Sequence, residues 1–476
     1  MRVAPFLPQR FRDFAQTAAD LRKYNGHKLP PGPVLPAWVQ TLRWAFQPIP
    51  FMEAARAQYG KVFTQRLVGF PPLIHFSDPE AIKEIFTGPP DLLFAGEANA
   101  ILKPVLGSGS LLLLDGPSHL RHRRLLLPPF HGERMHAYGA AMLQVTERVM
   151  STWPRGKVLP IMPEMRRIAL DVILQTVFGA REGDAILQVR DELSDLIARA
   201  SADPIFLLPA AHVRLGPLTS WARIQDQLAR IDEAIFALIR SRVRDLGAHK
   251  ETPGESTPPV RGDILSLLVL ARDEDNQPLS EGELRDELMT LLVAGHDTVA
   301  TGLSWTFYHL TQSPEVVKRA QQELDAYTTD QLPQANLPWV DAIVKESLRL
   351  TPVLPIVGRR LQEDMRLGGV DLPKGVRAAP NVYLVHRDPD IWPNPTVFTP
   401  ERFLGSKPAP YLFFPFGGGV RRCIGMAFAL FEMRIVLAAI LKRLQVGAAP
   451  NLPIQTVRHG VALAPSNDMP IILYDR

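Results

Sequence analysis

The chain of 476 residues contains a single cysteine, Cys423, in the segment F-P-F-G-G-G-V-R-R-C-I-G at 414–425. One cysteine cannot form an intrachain disulfide, a C-x-x-C redox pair or a zinc site with several cysteine ligands. Because cross-links of those kinds are excluded, the fold must be stabilised by a hydrophobic core. Hydrophobic residues make up 46% of the chain, which is enough for a large core.

The residues around Cys423 indicate whether it is a metal ligand or an inert buried side chain, which is the commoner state of a free cysteine. Glycines on both sides let the backbone approach a flat ligand, and Arg421 and Arg422 favour a thiolate. The apolar run that follows, M-A-F-A-L-F-E-M-R-I-V-L-A-A-I, predicts a buried helix whose N-terminal dipole stabilises an anion. A lone thiolate suits a metal that brings its other ligands, as haem iron does.

A second signal lies in the apolar pattern at 281–312, which predicts a helix that crosses the protein interior. The segment A-G-H-D-T at 294–298 interrupts this pattern. Gly295 weakens a helix, and the Thr298 hydroxyl can bond back to the Ala294 carbonyl, so we expect a local bulge that opens a groove. A bent helix that tolerates its glycine is the alternative interpretation.

Two charged pairs have helical spacing. Glu346 and Arg349 lie one turn apart on one helix face, and His119 and Arg123 lie four residues apart on another. Most such pairs are exposed and contribute little to stability, and a single arginine is more often solvated than bound to a ligand. These residues are therefore candidate site residues, and their spacing alone does not assign them a role.

Composition and charge narrow the class of function. The net charge of +4, from 53 basic and 49 acidic residues, gives no argument for nucleic acid binding. No apolar run approaches the ~18–20 residues of a membrane span, and the N-terminal segment is broken by proline and charge. We therefore expect a cytoplasmic, monomeric protein with no membrane span.

The predicted organisation is one domain over 1–476, mainly α-helical with a smaller β-rich region (α+β). Alternation around a Gly-Phe-Pro-Pro turn predicts a β-hairpin at 61–76, and glycine-flanked segments predict a small sheet at 366–384. Helices are predicted at 133–153, 162–178, 183–200, 220–246, 262–272, 281–312, 314–326 and 338–350.

Three further segments are predicted to lie outside regular structure. Residues 1–35 form an N-terminal extension that ends in a proline-rich hinge, and the polar segment 248–261 forms a flexible loop. The apolar, proline-broken segment 202–219 is either an ordered lid or an ordinary packed loop.

These segments together resemble the cytochrome P-450 superfamily, and in particular its soluble bacterial haem-thiolate monooxygenases. Phe416, Gly419, Arg421, Cys423 and Gly425 match the family's F-x-x-G-x-R-x-C-x-G loop. Further matches are A-G-x-D-T at 294–298, E-x-x-R at 346–349 and H-x-x-x-R at 119–123. The resemblance covers nearly the whole chain, from L-P-P-G-P at 29–33 to the closing strands.

The resemblance implies haem b, buried between the long central helix and the cysteine-loop helix, with Cys423 as the metal ligand. The other implied cofactor contacts are Phe416, Gly419, Gly425 and Ala294, together with four propionate clamps, His119, Arg123, Arg359 and Arg421. It also implies a buried structural triad in which Glu346 binds Arg349 and Arg402.

The implied activity is insertion of one oxygen atom of O2 into a C–H bond. Thr298 contacts dioxygen and Asp297 relays protons, although Val299 replaces the second hydroxyl that many members carry. Electrons come singly from a ferredoxin and an NAD(P)H-dependent ferredoxin reductase, because the chain has no flavin or ferredoxin domain. Basic residues near Cys423 and at 119–124 are expected to dock the acidic ferredoxin.

The implied substrate is an apolar small molecule such as a fatty acid, terpenoid, steroid or polyketide. Its pocket is formed by Ala294, Gly295, Val353, Leu354 and Ile356. Epoxidation and a haem-thiolate isomerase or dehydratase are alternative chemistries, and the Asp297–Thr298 pair argues against the latter two. A haem-binding sensor is the alternative from another class, but the sequence has no signalling or DNA-binding motif.

Overall fold

The computed structural model describes residues 23–130, 134–180, 185–188, 190–202, 220–248, 262–405, 407–450 and 452–476. The helices in these residues are α1 (Ala37–Phe46), α2 (Pro48–Tyr59), α3 (Pro79–Thr87), α4 (Lys103–Leu106), α5 (Gly116–Leu126), α6 (Arg134–Met150), α7 (Ile161–Thr176), α8 (Ala185–Gln188), α9 (Arg190–Ala202), α10 (Ser220–Ala248), α11 (Ile264–Leu270), α12 (Glu281–Thr311), α13 (Pro314–Asp325), α14 (Pro338–Leu350), α15 (Val382–His386) and α16 (Met426–Arg443).

The strands are shorter than the helices. They are β1 (Lys23–Tyr24), β2 (His27–Lys28), β3 (Val62–Gln65), β4 (Leu73–Phe76), β5 (Leu93–Phe94), β6 (Val158–Pro160), β7 (Arg359–Leu361), β8 (Met365–Leu367), β9 (Val370–Leu372), β10 (Arg377–Pro380), β11 (Leu444–Ala448), β12 (Thr456–His459), β13 (Ala462–Pro465) and β14 (Pro470–Asp475). This mainly helical architecture with smaller sheets confirms the predicted fold class.

The long helix α12 passes through the core, as its apolar pattern predicts. It begins at a capping box in which Glu283 N donates to Ser280 Oγ (3.2 Å) and Ser280 N donates to Glu283 Oε2 (2.8 Å). Its buried face includes Leu288, Leu292 and Leu303, which join the main hydrophobic cluster. α12 packs against α7, α14 and α16, so it is the element around which the other helices are arranged.

The largest sheet has five strands in the order β3-β4-β10-β7-β5. β3 and β4 pair antiparallel with Phe63 opposite His75, which confirms the predicted hairpin at 61–76. The sheet predicted at 366–384 is only partly correct. β8 and β9 form a separate hairpin, β10 joins the large sheet, and 382–386 is helical because the Asn381 side chain caps it by accepting from Leu384 N (2.9 Å).

Two smaller sheets complete the molecule. One has the order β11-β14-β6, and the other is the hairpin β12–β13, in which His459 pairs with Ala462 across the turn. This hairpin is fixed to α12, because the Trp305 indole Nε1 donates to the carbonyl of Leu463 at 2.8 Å. The contact brings the strand end at His459 toward the middle of α12.

The proline-rich hinge packs against the large sheet. The Thr64 side chain donates to the Pro30 carbonyl (2.7 Å), and a Cβ on Gly32 would lie 2.0 Å from the Thr64 carbonyl oxygen. The remainder of the predicted extension (1–22), nearly all of the predicted lid (203–219) and the predicted flexible loop (249–261) lie outside the described residues. Among the helices of the described part of the chain, none is both long and apolar enough to cross a bilayer.

Candidate active site

Cys423 lies in the turn that precedes α16, and the backbone around it is tightly folded. The Cys423 N–H donates to the Phe416 carbonyl at 3.0 Å, closing the loop. Gly419 has φ +64°, and a Cβ there would lie 2.0 Å from the carbonyl oxygen of Phe86 in α3. Gly419 is therefore required by protein packing. Gly425, in contrast, faces open space, because a Cβ at that position would have no neighbouring atom within 4 Å.

The Cys423 side chain has accessible surface although it lies deep in the protein. Burial raises the pKa of the thiol, and the Gly425 backbone with the charges of Arg123 and Arg422 lowers it only in part. Accessible surface and strong desolvation are compatible if the thiol faces an internal cavity. The sequence predicts that neighbouring arginines favour a thiolate, and Arg422 does lower the pKa of the thiol, but burial outweighs its effect. A bound metal ion would displace the proton.

Other predicted site residues lie on α12, which packs against α16, the helix that follows Cys423. Ala294 is exposed and Thr298 is half-buried, whereas the flanking Leu292 and Val299 are buried. Exposure in the middle of a core helix shows that these small residues border a void. The Thr298 hydroxyl donates to the Ala294 carbonyl at 2.6 Å, as predicted from the sequence.

The predicted bulge in α12 is wrong, because the helix is α-helical without interruption from Glu281 to Thr311. Helix packing explains the glycine at 295 instead, since a Cβ there would lie 3.0 Å from Ile173 Cδ1 of α7. The small side chain of Ala294, rather than a break in the hydrogen-bond ladder, leaves the space beside the helix.

Three arginines and a histidine cluster beside the cysteine loop: Arg123, Arg359, Arg421 and His119. Burial lowers the pKa of His119 to about 3, and the charges of Arg421, Arg123 and Arg359 add to the effect. Burial likewise lowers the pKa of Arg359 to about 10, with a further contribution from Arg421. A cavity of about 20 Å³, room for roughly one water, lies among His119, Arg359 and Arg421.

One carboxylate compensates this cluster in part. Asp115 binds Arg421 and also accepts the backbone N–H groups of Ala95 and Gly96 at 2.9 Å. Arg421 further donates to the carbonyls of Leu111 and Leu114. Within the described ranges, the side chains of Arg123 and Arg359 form no ion pair with a carboxylate, so the site retains uncompensated positive charge, and the neutral His119 beside them can donate a hydrogen bond.

These features fit haem. The accessible thiol, the void beside Ala294 and the open space at Gly425 suit a flat macrocycle, and the uncompensated cations suit its two carboxylates. Arg421 differs from its predicted role as a clamp, because Asp115 and two carbonyls already engage its guanidinium.

Glu346, Arg349 and Arg402 are brought together behind the site. The Arg349 guanidinium donates to both Glu346 carboxylate oxygens, at 2.7 and 2.8 Å, and both side chains are fully buried. Arg402 Nε lies 3.4 Å from Glu346 Oε1. Arg349 also donates to the carbonyls of His386 and Pro395, so the network joins α14 to the segment that precedes the cysteine loop.

Asp297 and Thr298 are neighbours in sequence but point in different directions, because successive helix residues lie about 100° apart. The Asp297 carboxylate accepts from Arg166 Nε of α7 at 2.8 Å and lies 3.4 Å from His459 Nδ1. Burial opposes ionisation of Asp297, but His459, Arg166 and His296 outweigh it and hold the pKa of the carboxyl well below its usual range.

Sequence reasoning missed Arg166 and His459. They lie 131 and 162 residues from Asp297, and neither belongs to a recognisable motif. A helix pattern at 162–178 predicts the element that carries Arg166 but not the direction of its side chain. Only the three-dimensional structure brings the three groups into contact.

The predicted pocket residues of the segment after α14 differ in exposure. Leu354 is half-buried, whereas Val353 is buried and its carbonyl accepts from Leu463 N of β13 at 2.8 Å. Ile356 packs against the cluster that contains Phe51 and forms a bridge with Asn381. These contacts fix the segment to the hairpin β12–β13 on one side and to the large sheet on the other.

The predicted basic docking surface is smaller than the sequence indicates. Arg121 binds Asp273 (2.6 Å) and Glu283 (3.0 Å), and Arg124 binds Glu274 (2.5 Å). The positive charge of the 119–124 segment is thus largely neutralised within the chain. Arg422, beside the cysteine, is exposed.

Comparisons with known proteins agree with this geometry. The family profile of cytochrome P-450 matches residues 29–471. The chain is 38% identical over 417 residues to a putative cytochrome P-450 135B1 of Mycobacterium tuberculosis, covering 88% of this chain and 85% of the relative. A putative cytochrome P-450 137 of the same organism is 32% identical, with coverage of 86% and 82%.

A solved structure gives the same result at the level of fold. The cyanobacterial CYP120A1 with bound retinoic acid superposes with a TM-score of 0.79 at 26% identity, covering 94% of this chain and 99% of the other. The profile match over nearly the whole chain and the curated relatives establish the family. The chain belongs to the cytochrome P-450 family, whose members are haem b-dependent monooxygenases, and it is therefore an oxidoreductase of that kind.

Proposed function

We propose that haem lies between α12 and the cysteine loop, with Cys423 as its axial thiolate. The observation that carries this placement is the Cys423 thiol, which has accessible surface although burial raises its pKa. When bound there, a thiolate-ligated haem supplies the activation of O2 for insertion of one oxygen atom into a C–H bond. Gly425 and Ala294 leave room for the ring, and Phe416 and Gly419 hold the loop.

His119, Arg123 and Arg359 are the groups we assign to the haem propionates. Each is at least partly buried and lacks a carboxylate partner among the described residues, so each gains by pairing with an anion. We assign Arg421 to holding Asp115 and the 111–115 segment against the cysteine loop. In this arrangement the negative charges of the propionates would neutralise the positive charge of the cluster.

Thr298 and Asp297 are proposed to serve proton delivery. The Thr298 hydroxyl borders the void, and its proton is directed to the Ala294 carbonyl, which leaves its lone pairs free to accept a hydrogen bond. Asp297 remains an anion at neutral pH. Because the two side chains do not touch, a proton moves between them through water or by rotation of Asp297 away from Arg166.

The proposed substrate is an apolar small molecule, with fatty acids and terpenoids as the first classes to examine. Ala294 and Leu354 are the accessible apolar side chains we assign to the pocket, and Thr298 supplies a hydroxyl. Val353 and Ile356 support the same segment from behind. A site of this kind selects by shape and apolar contact, with hydroxylation at the C–H bond nearest the haem.

We propose a ferredoxin with its NAD(P)H-dependent reductase as the electron source. The described chain carries exposed Arg422 beside exposed Val420 in the cysteine loop, the part of the surface nearest Cys423. A cation next to an apolar side chain suits an acidic partner that must approach the haem edge closely. Arg121 and Arg124 are excluded from this surface by their internal carboxylate partners.

The axial-ligand assignment is tested by the carbonyl adduct of the reduced protein. The wild type is expected to show the red-shifted Soret band of thiolate ligation, and Cys423→His is expected to bind haem and lose the shift. A wild-type adduct without the shift would contradict the assignment. Ser151→Ala, at an exposed hydroxyl remote from the loop, is a control that should keep the band.

The substrate class is tested by a ligand screen that follows the low-to-high-spin change of the ferric protein. Saturated fatty acids and monoterpenes are expected to produce the change, and small polar acids are not. Hits are then incubated with ferredoxin, reductase and NAD(P)H and analysed for hydroxylated product. Product formed without electrons would instead indicate an isomerase or dehydratase.

A further inference from the structure

The proposed function leaves the source of the Asp297 proton open. Two side chains bind this carboxylate, Arg166 at Oδ1 (2.8 Å) and His459 at Oδ2 (3.4 Å). Arginine cannot give up a proton in a protein, so Arg166 holds the carboxylate without supplying it. His459 is the partner whose ring can both donate and accept a proton, because it carries two nitrogens.

His296 is a possible second source, because it is adjacent to Asp297 in sequence. Its ring is buried, however, and no side chain of the described residues forms a hydrogen bond with either ring nitrogen. Burial lowers the pKa of His296 to about 4, so the ring is neutral at physiological pH. A ring with no contact to water cannot be resupplied with protons from solvent.

His459 is accessible to solvent and also contacts Asp297. Its side chain is 19% exposed, compared with 10% for Asp297. It ends strand β12, and the hairpin that carries it is fixed by Trp305 Nε1 to the Leu463 carbonyl (2.8 Å) and by Leu463 N to the Val353 carbonyl (2.8 Å). The ring is therefore held against α12 by two backbone contacts outside its own strand.

Arg166 orients the imidazole without occupying its nitrogens. Arg166 Nη2 lies 3.3 Å from Nδ1 and 3.4 Å from Nε2 of His459. Nearly equal distances to both nitrogens place the guanidinium over the ring face, since an in-plane hydrogen bond to one would leave the other much farther away. Stacking of this kind leaves Nδ1 free for Asp297 and Nε2 free for water.

From this arrangement we propose that His459 is a positioning residue for the monooxygenase reaction, supplying Asp297 with protons from solvent, and that Arg166 aligns the pair. The inference rests on the proposed role of Asp297. In each transfer Nε2 takes up a proton from solvent while the Nδ1 proton passes to Asp297 Oδ2, and the proton left on Nε2 returns to Nδ1 by exchange through solvent before the next transfer. Asp297 then passes its proton toward Thr298 and returns to the carboxylate that Arg166 stabilises.

A purely structural clamp is the competing explanation, and His459→Asn separates the two. The asparagine amide can replace the Nδ1–H donor to Asp297, but it cannot exchange a proton with water near neutral pH. His459→Phe removes both properties, and Val457→Gln, at an exposed position of the same strand, serves as the matched control. If His459→Asn does not fold, His459→Gln replaces it at the same exposed hairpin end.

The holoenzyme is assayed with ferredoxin, reductase and NAD(P)H on the compound that gives the largest spin-state change. His459→Asn is expected to lower product per NAD(P)H roughly tenfold, below the usual 10²–10⁴-fold of a lost general acid because water replaces the ring in part. Hydrogen peroxide should account for the missing product, and the solvent deuterium isotope effect should increase. Oxidation driven by added peroxide, which brings its own protons, should match the wild type.

A second readout does not depend on turnover. In protein labelled with ¹⁵N-histidine, the diamagnetic ferrous carbonyl form is expected to show a His459 Nδ1–H signal that Asp297→Asn shifts and Val457→Gln leaves in place. If the wild type oxidises no compound, the proposed function is contradicted. The Nδ1–H signal would then test only whether His459 contacts Asp297. Absence of the signal, or a His459→Asn enzyme with wild-type coupling and isotope effect, would overturn the relay.

Discussion

At the scale of single residues, the Thr298 hydroxyl shows how local geometry restricts chemistry. Its proton is directed to the Ala294 carbonyl at 2.6 Å, a bond that any threonine or serine in a helix can form. The oxygen lone pairs therefore face the void, and the group can accept a hydrogen bond there without breaking the helix. Thr298 is thus suited to hold a water or a protonated ligand in one place.

Replacement of Thr298 should separate the hydroxyl from the shape of the side chain. Thr298→Val keeps the volume and removes the hydrogen bond, so we expect product per NAD(P)H to fall roughly tenfold, with the difference released as peroxide. Thr298→Ser should retain most coupling. Product and peroxide are measured in the same reactions, and equal coupling in all three proteins would contradict the assignment of proton delivery.

Replacement by alanine is expected to have a large effect at one glycine of the cysteine loop and a small effect at another. Gly419 has φ +64°, and its Cβ would lie 2.0 Å from the Phe86 carbonyl, whereas Gly425 has φ −86° and open space. Gly419→Ala should lower the free energy of unfolding by at least about 2 kcal/mol, while Gly425→Ala should change it by less than about 0.5 kcal/mol. Urea unfolding of the two variants checks this, and equal losses would show that the contact with α3 is not limiting.

At the scale of elements, the buried network of Glu346 and Arg349 joins α14 to the chain that leads to the cysteine loop. Two hydrogen bonds connect the pair, and Thr399 N donates to Glu346 Oε1 at 2.9 Å. Arg349 donates to the carbonyls of His386 and Pro395, so removal of either charge would leave several buried groups unsatisfied.

The expected cost of breaking this network is large. Arg349→Ala leaves the buried Glu346 carboxylate with only the longer contact to Arg402 (3.4 Å), so we expect a loss of about 3–5 kcal/mol in stability, with weaker haem retention. The matched control is Arg366→Ala, which breaks an exposed pair with Asp371 and should cost less than about 1 kcal/mol. Denaturant unfolding of both variants measures the difference, and similar losses would contradict a structural role for the network.

The same elements show how far the sequence could be interpreted. The period of apolar residues predicted α12 and α14 because burial on one or all faces has a one-dimensional signature. It could not predict that 382–386 is helical, since this segment is short and depends on the Asn381 cap. Nor could it predict that Arg121 is neutralised by Asp273, because that ion pair joins residues distant in the chain.

At the scale of the whole molecule, the core holds histidines in the neutral state. Burial lowers the pKa of His75, His309 and His386 to about 3 and that of His296 to about 4. In the unfolded chain these rings protonate near pH 6.5. Between those values these four rings bind more protons in the unfolded chain than in the fold, so their contribution to stability is complete above pH 6.5 and is lost as the pH falls.

His309 offers the clearest test of this linkage, since it stacks on Phe398 (ring centroids 4.8 Å apart) and its Nε2 lies 3.1 Å from Thr351 Oγ1. Near pH 5 this ring is protonated in the unfolded chain and neutral in the fold, so it contributes about 1.4 kcal/mol per pH unit to the pH dependence of stability. In His309→Gln and His309→Phe, the free energy of unfolding plotted from pH 4.5 to 5.5 should therefore be shallower by roughly that slope. The two variants pack differently, so a common change in slope can come only from the lost proton. Curves parallel to the wild type would show that the ring is already protonated in the fold.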